Sequence, residues 1–182
     1  MILGLDVSTS CTGWCILNED GNFIEMGFIP LGKLKTTYVK AEEFRAKLTD
    51  IHIKFNVSKV YIEENLQAFR PGFSSAKTLL TLSRFNGIVS YLCAQQFQFE
   101  PEHINVNIAR KCLGLKIIKK SKGGKPTKEQ VVDWVSNELN GSFSWPTKIL
   151  KSGPRKGLKI HIPECYDMAD AYVIARAGTN LF

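Results

Sequence analysis

The amino-acid sequence predicts an α/β protein with a mixed β-sheet. Short apolar runs at residues 2–8, 13–17 and 23–29 are separated by turn-forming residues, which is typical of an antiparallel meander. The later segments alternate between strand-like runs and helical spacing. A length of 182 residues with 44% hydrophobic residues suits one domain with its own core. We therefore expect a single domain over residues 1–182, in which helices flank a five-stranded sheet.

Helices and further strands follow the meander. Residues 36–55 have helical spacing, because their large apolar side chains recur every three or four positions. Two more strands are predicted, at 60–64 and 103–106. Four more helices are predicted, at 75–97, 107–113, 128–139 and from Pro163 to about Arg176. We expect Thr127 to cap the helix at 128–139.

The charge and the cysteines limit the classes of function. Lys and Arg total 24 against 17 Asp and Glu, for a net charge of +7, which favours a polyanionic partner such as nucleic acid. The five cysteines show no C-x-x-C pair, which indicates reduced thiols and argues against a structural zinc site. No stretch reaches the ~18 apolar residues of a membrane span, and the N-terminus does not resemble a signal peptide. We expect a cytoplasmic protein that does not contact membrane.

Four acidic residues lie where an unpaired charge is costly. Asp6 stands within the first apolar run, and Glu63 follows the apolar triplet 60–62. Asp167 and Asp170 are three residues apart on an otherwise apolar helix, so both side chains project from one face. Buried carboxylates need cationic partners, and Asp6, Asp167 and Asp170 have none nearby in sequence. Mg²⁺ or Mn²⁺ would satisfy them, since hard cations prefer carboxylate oxygens.

Taken singly, each of these acids has an ordinary structural explanation. A strand-end acid is usually a cap or an ion-pair partner, and an Asp-x-x-Asp pair is usually a solvated helix face; the combination of all four is more specific. Glu64 remains an alternative to Glu63, because spacing does not decide which of two adjacent acids points at the site. Two ions about 3.5–4 Å apart can activate water and stabilise the leaving oxygen in phosphodiester hydrolysis. The pattern therefore predicts a metal-dependent phosphodiesterase.

Two basic stretches, at 116–128 and 140–161, each precede a candidate active-site helix. Lysine-rich loops are usually ordinary solvated surface. Their position here favours contacts with phosphates. The candidate phosphate-binding residues are Lys119, Lys120, Lys122, Lys125 and Lys128.

Three sequence blocks, in order along the chain, carry a family resemblance: ILGLDVSTSCTGW (2–14), VYIEENL (60–66) and YDMADAYVIA (166–175). They resemble the first strand, the strand bearing the second carboxylate and the C-terminal helix signature of the RuvC family of Holliday junction resolvases. A weaker block, GGKPTKEQVVDWV (123–135), resembles the basic loop and helix ahead of that signature, with Lys128 at its typically basic position. The resemblance spans nearly the whole chain.

The resemblance implies an RNase H-like fold, a homodimer, and two Mg²⁺ or Mn²⁺ ions per active site held by Asp6, Glu63, Asp167 and Asp170 as catalytic residues. It also implies paired nicks across a four-way DNA junction, in the cytoplasm of a bacterial cell or of a phage-infected host. The wide apolar face of the helix at 75–97 fits either a core helix or a dimer seam, and both interpretations stay open.

The sequence also departs from the family pattern. Bacterial resolvases typically follow the first Asp with Pro-Gly, whereas Val7-Ser8 stand here, and the stretch 140–161 is longer than in cellular members. Both features look more like bacteriophage relatives, for which we expect flaps and Y-junctions as additional substrates. The family's base-stacking aromatic near the second carboxylate has no clean counterpart, because Leu66 occupies the nearest position. We take the following Phe69 and Arg70 as the expected DNA contacts.

Two alternative interpretations stay open. A non-catalytic RNase H-like nucleic-acid-binding module would keep the basic loops, but it would not need four acids beside DNA, where they repel phosphates unless metal intervenes. An RNA-processing nuclease of the same superfamily would use the same metal chemistry, which is indifferent to the sugar.

An actin-like ATPase is disfavoured because that fold needs about twice this length. A P-loop ATPase is disfavoured because the sequence contains no P-loop motif.

Overall fold

The structure is a computed structural model, and it describes residues 1–64 and 75–182. Seven strands and five α-helices form within these residues. In chain order they are β1 (Ile2–Val7), β2 (Cys11–Leu17), β3 (Phe23–Pro30), α1 (Thr37–Lys54), β4 (Lys59–Glu63), α2 (Ala76–Phe97), β5 (Glu102–Ile104), α3 (Val106–Cys112), α4 (Thr127–Leu139), β6 (Thr147–Ile149), β7 (Lys159–His161) and α5 (Glu164–Leu181). A short 3₁₀ turn at Lys120–Lys122 lies between α3 and α4.

The central sheet has five strands in the order β3-β2-β1-β4-β5. The first three strands pair antiparallel, and β1, β4 and β5 run parallel. The predicted mixed sheet with an opening meander is therefore confirmed. None of the helices in the described ranges is long and apolar enough to cross a bilayer.

Alternation along β1 decides which side chains face the active-site helix. Leu3 and Leu5 are fully buried in a cluster with α1 and α2 on one side of the sheet. Ile2 lies in a second cluster, formed with α3, α4 and α5 on the other side. Successive side chains of a strand point to opposite faces. Asp6 therefore shares the face of Ile2 and points toward α5.

Helix α5 lies unusually close to the sheet because two glycines make room for it. A β-carbon added to Gly4 would stand 2.4 Å from the carbonyl oxygen of Ala171, and one added to Gly13 would stand 2.0 Å from that of Asp167. Gly13 is the register partner of Asp6 across the β1–β2 pair. The close approach at Gly13 thus brings the first turns of α5 beside Asp6.

Three expectations about local structure were wrong. Thr127 does not cap α4: it is the first helical residue, and Pro126 flanks the helix with no side-chain cap bond. Helix α5 continues past Arg176 to Leu181, because Gly178 packs against the ring of Tyr61 and keeps this end on the sheet. The stretch 140–161 is not wholly irregular, since β6 and β7 pair as an antiparallel hairpin within it. These strands of three residues are too short for a periodic sequence signal.

Candidate active site

Asp6 and Glu63 meet at the carboxyl ends of two neighbouring parallel strands. Leu5 of β1 is the register partner of Ile62 in β4, so the next residues, Asp6 and Glu63, come side by side on the α5 face. The two carboxyl groups lie within hydrogen-bonding reach of each other, and the contact favours a proton on Asp6. Parallel strands thus place together two acids that are far apart in sequence.

Asp170, on α5, approaches the pair from above the sheet and is bound by a buried arginine. Its carboxylate Oδ1 lies 2.9 Å from Nη2 of Arg110 in α3, and the two side chains are only 9% and 17% exposed. The Arg110 Nε is buried and has no hydrogen-bond partner among the described residues. Arg110 therefore supplies the positive charge that the buried Asp170 carboxylate requires.

Asp167 lies one helical turn earlier on α5 and has two other partners. The buried thiol of Cys11, at the start of β2, lies beside its carboxylate and lowers the pKa of Asp167 in part. The Nζ of Lys128, in the first turn of α4, lies 4.0 Å from Asp167 Oδ1 and 5.9 Å from the centre of the Tyr166 ring. The Lys128 side chain is 61% exposed, so it screens Asp167 from the solvent side without neutralising it fully.

Asp6, Glu63 and Asp167 have raised pKa values in this setting. Burial raises the pKa of Asp6 well above its usual range, and the charges of Glu63, Asp170 and Asp167 raise it further. Burial and the charge of Asp170 raise the pKa of Glu63 to about 7, although Arg110 and Lys128 lower it in part. Burial also raises the pKa of Asp167. Without an added cation the cluster therefore retains protons near neutral pH.

The neighbouring acid Glu64 has a different environment from Glu63. Its side chain accepts a hydrogen bond of 3.4 Å from Nδ2 of Asn105, at the start of α3. The backbone carbonyl of Glu63 accepts a hydrogen bond of 3.1 Å from the buried Asn86 side chain of α2. Because Glu63 is the acid that lies against Asp6, this arrangement favours Glu63 over Glu64 as the site residue.

The donor set fits a hard divalent cation in its chemistry. It offers four carboxylates in a confined space, where raised pKa values indicate a shortage of positive charge. Within residues 1–64 and 75–182, however, no three Asp, Glu, His or Cys side chains stand in an arrangement that holds an ion as they are. In this structure Asp6 lies against Glu63, and Asp170 is paired with Arg110. The kind of donor, four carboxylates, is what fits a hard cation.

The lysine-rich loop before α4 is ordered and solvent-exposed. The Gln130 side chain holds its two ends, accepting from the Ile118 N–H at 2.9 Å and donating to the carbonyls of Ile118 and Lys125. Lys119, Lys120 and Lys122 are exposed along it. Lys125 is exposed as well, but its Nζ lies 2.7 Å from Asp133. Of the predicted phosphate-binding lysines, only Lys128 reaches the acidic cluster.

Two predicted DNA contacts, Phe69 and Arg70, lie outside the described residues, as does Leu66.

Two further residues of the site, Arg110 and Cys11, carry no signal in the sequence that would have identified them. Arg110 is 60 positions from Asp170, and Cys11 is 156 positions from Asp167, so no spacing rule connects them. Their roles depend on the packing of α3 and β2 against α5.

Comparisons with known proteins agree with this architecture. No family model matches the chain. It is 28% identical over 141 residues to the crossover junction endodeoxyribonuclease RuvC of Aliarcobacter butzleri (strain RM4018), covering 76% of this chain and 83% of that protein. The RuvC of Sulfurovum sp. (strain NBC37-1) is also 28% identical, over 142 residues, covering 76% of this chain and 80% of that protein.

Solved structures show the same fold. The RuvC of T. thermophilus in complex with a Holliday junction substrate superposes with a TM-score of 0.62 at 15% identity, covering 97% of this chain and 90% of that one. The yeast mitochondrial Holliday junction resolvase Ydc2 gives a TM-score of 0.50 at 14% identity, covering 98% and 77%. By sequence the chain is similar to RuvC proteins, and its fold is the RNase H-like fold of the solved RuvC-type Holliday junction resolvases.

Proposed function

We propose that this chain is a metal-dependent endonuclease that cuts branched DNA, four-way junctions above all, by nicking two strands. One observation carries the proposal: Asp6, Glu63, Asp167 and Asp170 come together at one end of the sheet, in a setting that raises the pKa of at least three of them. Such a cluster is unfavourable without a cation and is unnecessary for a protein that only binds DNA. The names of the similar RuvC proteins support this choice of substrate.

In this proposal the four carboxylates hold two Mg²⁺ or Mn²⁺ ions. When bound, such ions make water nucleophilic at neutral pH and stabilise the charge that develops on the phosphate oxygens. The chain's own residues hold the ligands in place. The Cys11 thiol orients Asp167, Asn86 fixes the backbone at Glu63, and Arg110 prevents Asp170 from standing uncompensated.

A positive surface beside the acids would attract the DNA backbone. Arg110, Lys111 and Lys116 line one cleft of about 500 Å³, whose remaining lining side chains include no acid. This cleft is joined to the acidic cluster through Arg110, which bonds to Asp170. Lysines 119, 120, 122 and 128 extend the positive surface along the loop and into α4. Phosphate contacts of this kind position the duplex without reading its sequence.

We also propose a homodimer that uses α2. Leu80 and Tyr91 are 68% and 61% exposed on this helix, and a β-carbon added to Gly87, between them, would meet no neighbouring part of the described chain within 4 Å. Positions 80, 84, 87 and 91 follow the spacing of a helix–helix seam. A two-fold dimer would present two active sites related by the same two-fold axis as the two strands of the junction that are cut.

Free cysteines and a DNA substrate suit the cytoplasm of a bacterial cell or phage-infected host.

The proposal is tested by incubating the purified protein with labelled four-way, flap, Y-shaped and linear DNA, and with a four-way RNA, in Mg²⁺ or in EDTA. We expect cleavage of four-way DNA in Mg²⁺, slower cleavage of flaps and Y-junctions, and none in EDTA. Binding to every DNA without cleavage in Mg²⁺ or Mn²⁺ would instead indicate the non-catalytic module. Preference for the RNA junction would indicate an RNA-processing nuclease.

A further inference from the structure

The hairpin formed by β6 and β7 carries a concentrated positive charge. Residues 140–163 contain no Asp or Glu and five Lys or Arg residues. These are Lys148, Lys151, Arg155, Lys156 and Lys159, and all five are exposed. Within the described part of the chain, none of them forms an ion pair. Five like charges on a short ribbon repel one another unless a polyanion binds them.

The base of the hairpin is fixed to the domain. Trp145 Nε1 donates a hydrogen bond of 2.8 Å to Ser136 Oγ in α4. The rings of Phe143 and Phe23, the latter in β3, pack in a T-shaped arrangement with their centroids 5.7 Å apart. The Cys165 thiol, in the first turn of α5, donates to the carbonyl of Pro146 at 3.3 Å. These contacts hold the hairpin at a defined angle to the catalytic helix.

The tip of the hairpin is a defined turn. Leu150 and Leu158 continue the strand pairing, with the Leu150 N–H donating to the Leu158 carbonyl at 3.0 Å. Gly153 and Gly157 adopt left-handed backbone conformations, with φ of 79° and 88°, that close the turn. The residues between the two leucines thus project beyond the domain. Three of the five cations lie in this segment.

The two sides of the hairpin differ in charge. A cleft of about 530 Å³ separates the hairpin from α4, and it is lined by Arg155 and Lys159 on one side and by Glu129 and Asp133 on the other. Lys148, Lys151 and Lys156 do not line this cleft. The inner side is therefore mixed in charge, and the uncompensated positive charge lies on the outer side and at the tip.

The hairpin is also close to the acidic cluster. The same cleft is lined by Tyr166, the residue before Asp167. Strand β7, which ends at His161, leads directly into α5, which begins at Glu164. A duplex seated at the acids would therefore extend along or across this hairpin.

We propose that the β6–β7 hairpin is a second DNA-binding arm. In this inference Lys148, Lys151 and Lys156 contact the sugar–phosphate backbone of a duplex arm that leaves the cleavage point. A two-stranded ribbon has the width that the major groove of B-form DNA admits. The inference rests on the proposed function, because it assigns the arm to the same DNA substrate.

The test compares two double variants that each remove two positive charges. Lys151→Gln/Lys156→Gln alters the hairpin tip. Lys54→Gln/Lys59→Gln is the control for the loss of net charge. Lys54, which pairs with Glu25, is at the end of α1, and Lys59 is at the start of β4, at the end of the sheet opposite to the acids. The dissociation constant of a fluorescent four-way DNA junction is measured in EDTA at several salt concentrations. Cleavage of the same junction by the wild-type protein in Mg²⁺ is measured in parallel.

We expect the tip variant to bind the junction more weakly, by about tenfold at low salt, with a log–log salt slope reduced by up to ~0.9 per lost phosphate contact. The control variant should keep the wild-type slope. A tip variant that matches the control overturns the hairpin inference, and if the wild-type protein still cleaves the junction the proposed function stands. A wild-type protein that neither binds nor cleaves the junction overturns both.

Discussion

Gly13 of β2 lies directly against the backbone of Asp167 in α5: a β-carbon added to Gly13 would stand 2.0 Å from the Asp167 carbonyl oxygen. The atoms in contact are backbone atoms of a helix and a central strand, so neither can move aside cheaply. The absence of a side chain at one position of the sheet thus sets the depth at which Asp167 and Asp170 approach Asp6.

Gly13→Ala should destabilise the protein by about 1–3 kcal/mol or more, because overpacking must lift α5 from the sheet. It should also weaken Mg²⁺ binding, since the α5 carboxylates would move away from Asp6. Urea unfolding with and without Mg²⁺ measures both effects. Gly32→Ala is the control, because its β-carbon would make only ordinary contacts with Ser10 at 3.5 Å and beyond. Equal stability of the two variants would contradict the close approach.

The stability of the metal-free protein should fall as pH rises. The pKa values of Asp6 and Glu63 are raised by burial in the folded state, that of Glu63 to about 7, whereas in the unfolded chain they lie at about 4. The folded state therefore binds more protons, and the stability present below about pH 4 is lost as pH rises through about 7. The loss should be at least about 3 kcal/mol, because a rise of the Glu63 pKa from 4.5 to about 7 corresponds to that amount by itself.

Thermal unfolding in EDTA between pH 5 and 8.5 measures this dependence. Asp6→Asn should flatten the profile and be more stable than wild type at pH 8, because its amide carries no charge. Mg²⁺ should stabilise the wild type at pH 8 by ligand binding to the folded state, with little effect on Asp6→Asn. A wild-type profile that rises over this range would refute the assignment of the shared proton.

Arg110 should matter most when no metal is bound. Arg110→Met leaves the Asp170 carboxylate buried without a partner, which should cost about 3–5 kcal/mol in EDTA. Adding Asp170→Asn to this variant should recover most of the loss. Lys128→Met removes a cation that is 4.0 Å from Asp167 and 61% exposed, so its cost should be at most about 1 kcal/mol. Denaturant unfolding of the three variants in EDTA gives their free energies of unfolding. A larger loss of stability for Lys128→Met than for Arg110→Met would contradict this ranking of the two ion pairs.

The proposed dimer seam on α2 predicts a change in association. Leu80→Glu and Tyr91→Glu should each weaken dimerisation at least about tenfold, because each buries a charge in the interface. Ile108→Glu is the control, since Ile108 is 56% exposed on α3, which packs on the opposite face of the sheet from α2. Sedimentation equilibrium over a range of protein concentrations gives the dissociation constants. A wild-type protein that is monomeric throughout would remove the paired-nick proposal while leaving a metal-dependent nuclease.

The fold was largely predictable because β1 and the meander carry strong local signals. The apolar run around Asp6 and the Asp167–Asp170 spacing likewise mark acids in costly positions at the level of sequence. The pairing of Asp6 with Glu63 was not visible in the same way, because strand register is a long-range property. Arg110 and Cys11 could not be identified from the sequence either, because their positions beside the acids depend on how α3 and β2 pack against α5. The β6–β7 hairpin escaped prediction because its strands are short and its stability comes from aromatic contacts at its base.

The central claim is that the four carboxylates cut DNA by holding metal, and one measurement tests it most directly. Asp6→Asn is compared with wild type in single-turnover cleavage of a four-way junction in Mg²⁺, with junction binding measured on the same samples. We predict that cleavage falls at least about 100-fold, since loss of even an outer-shell contact commonly costs 10- to 100-fold, while binding stays within a few-fold or becomes tighter. Lost binding with undiminished cleavage of the bound junction would contradict the claim.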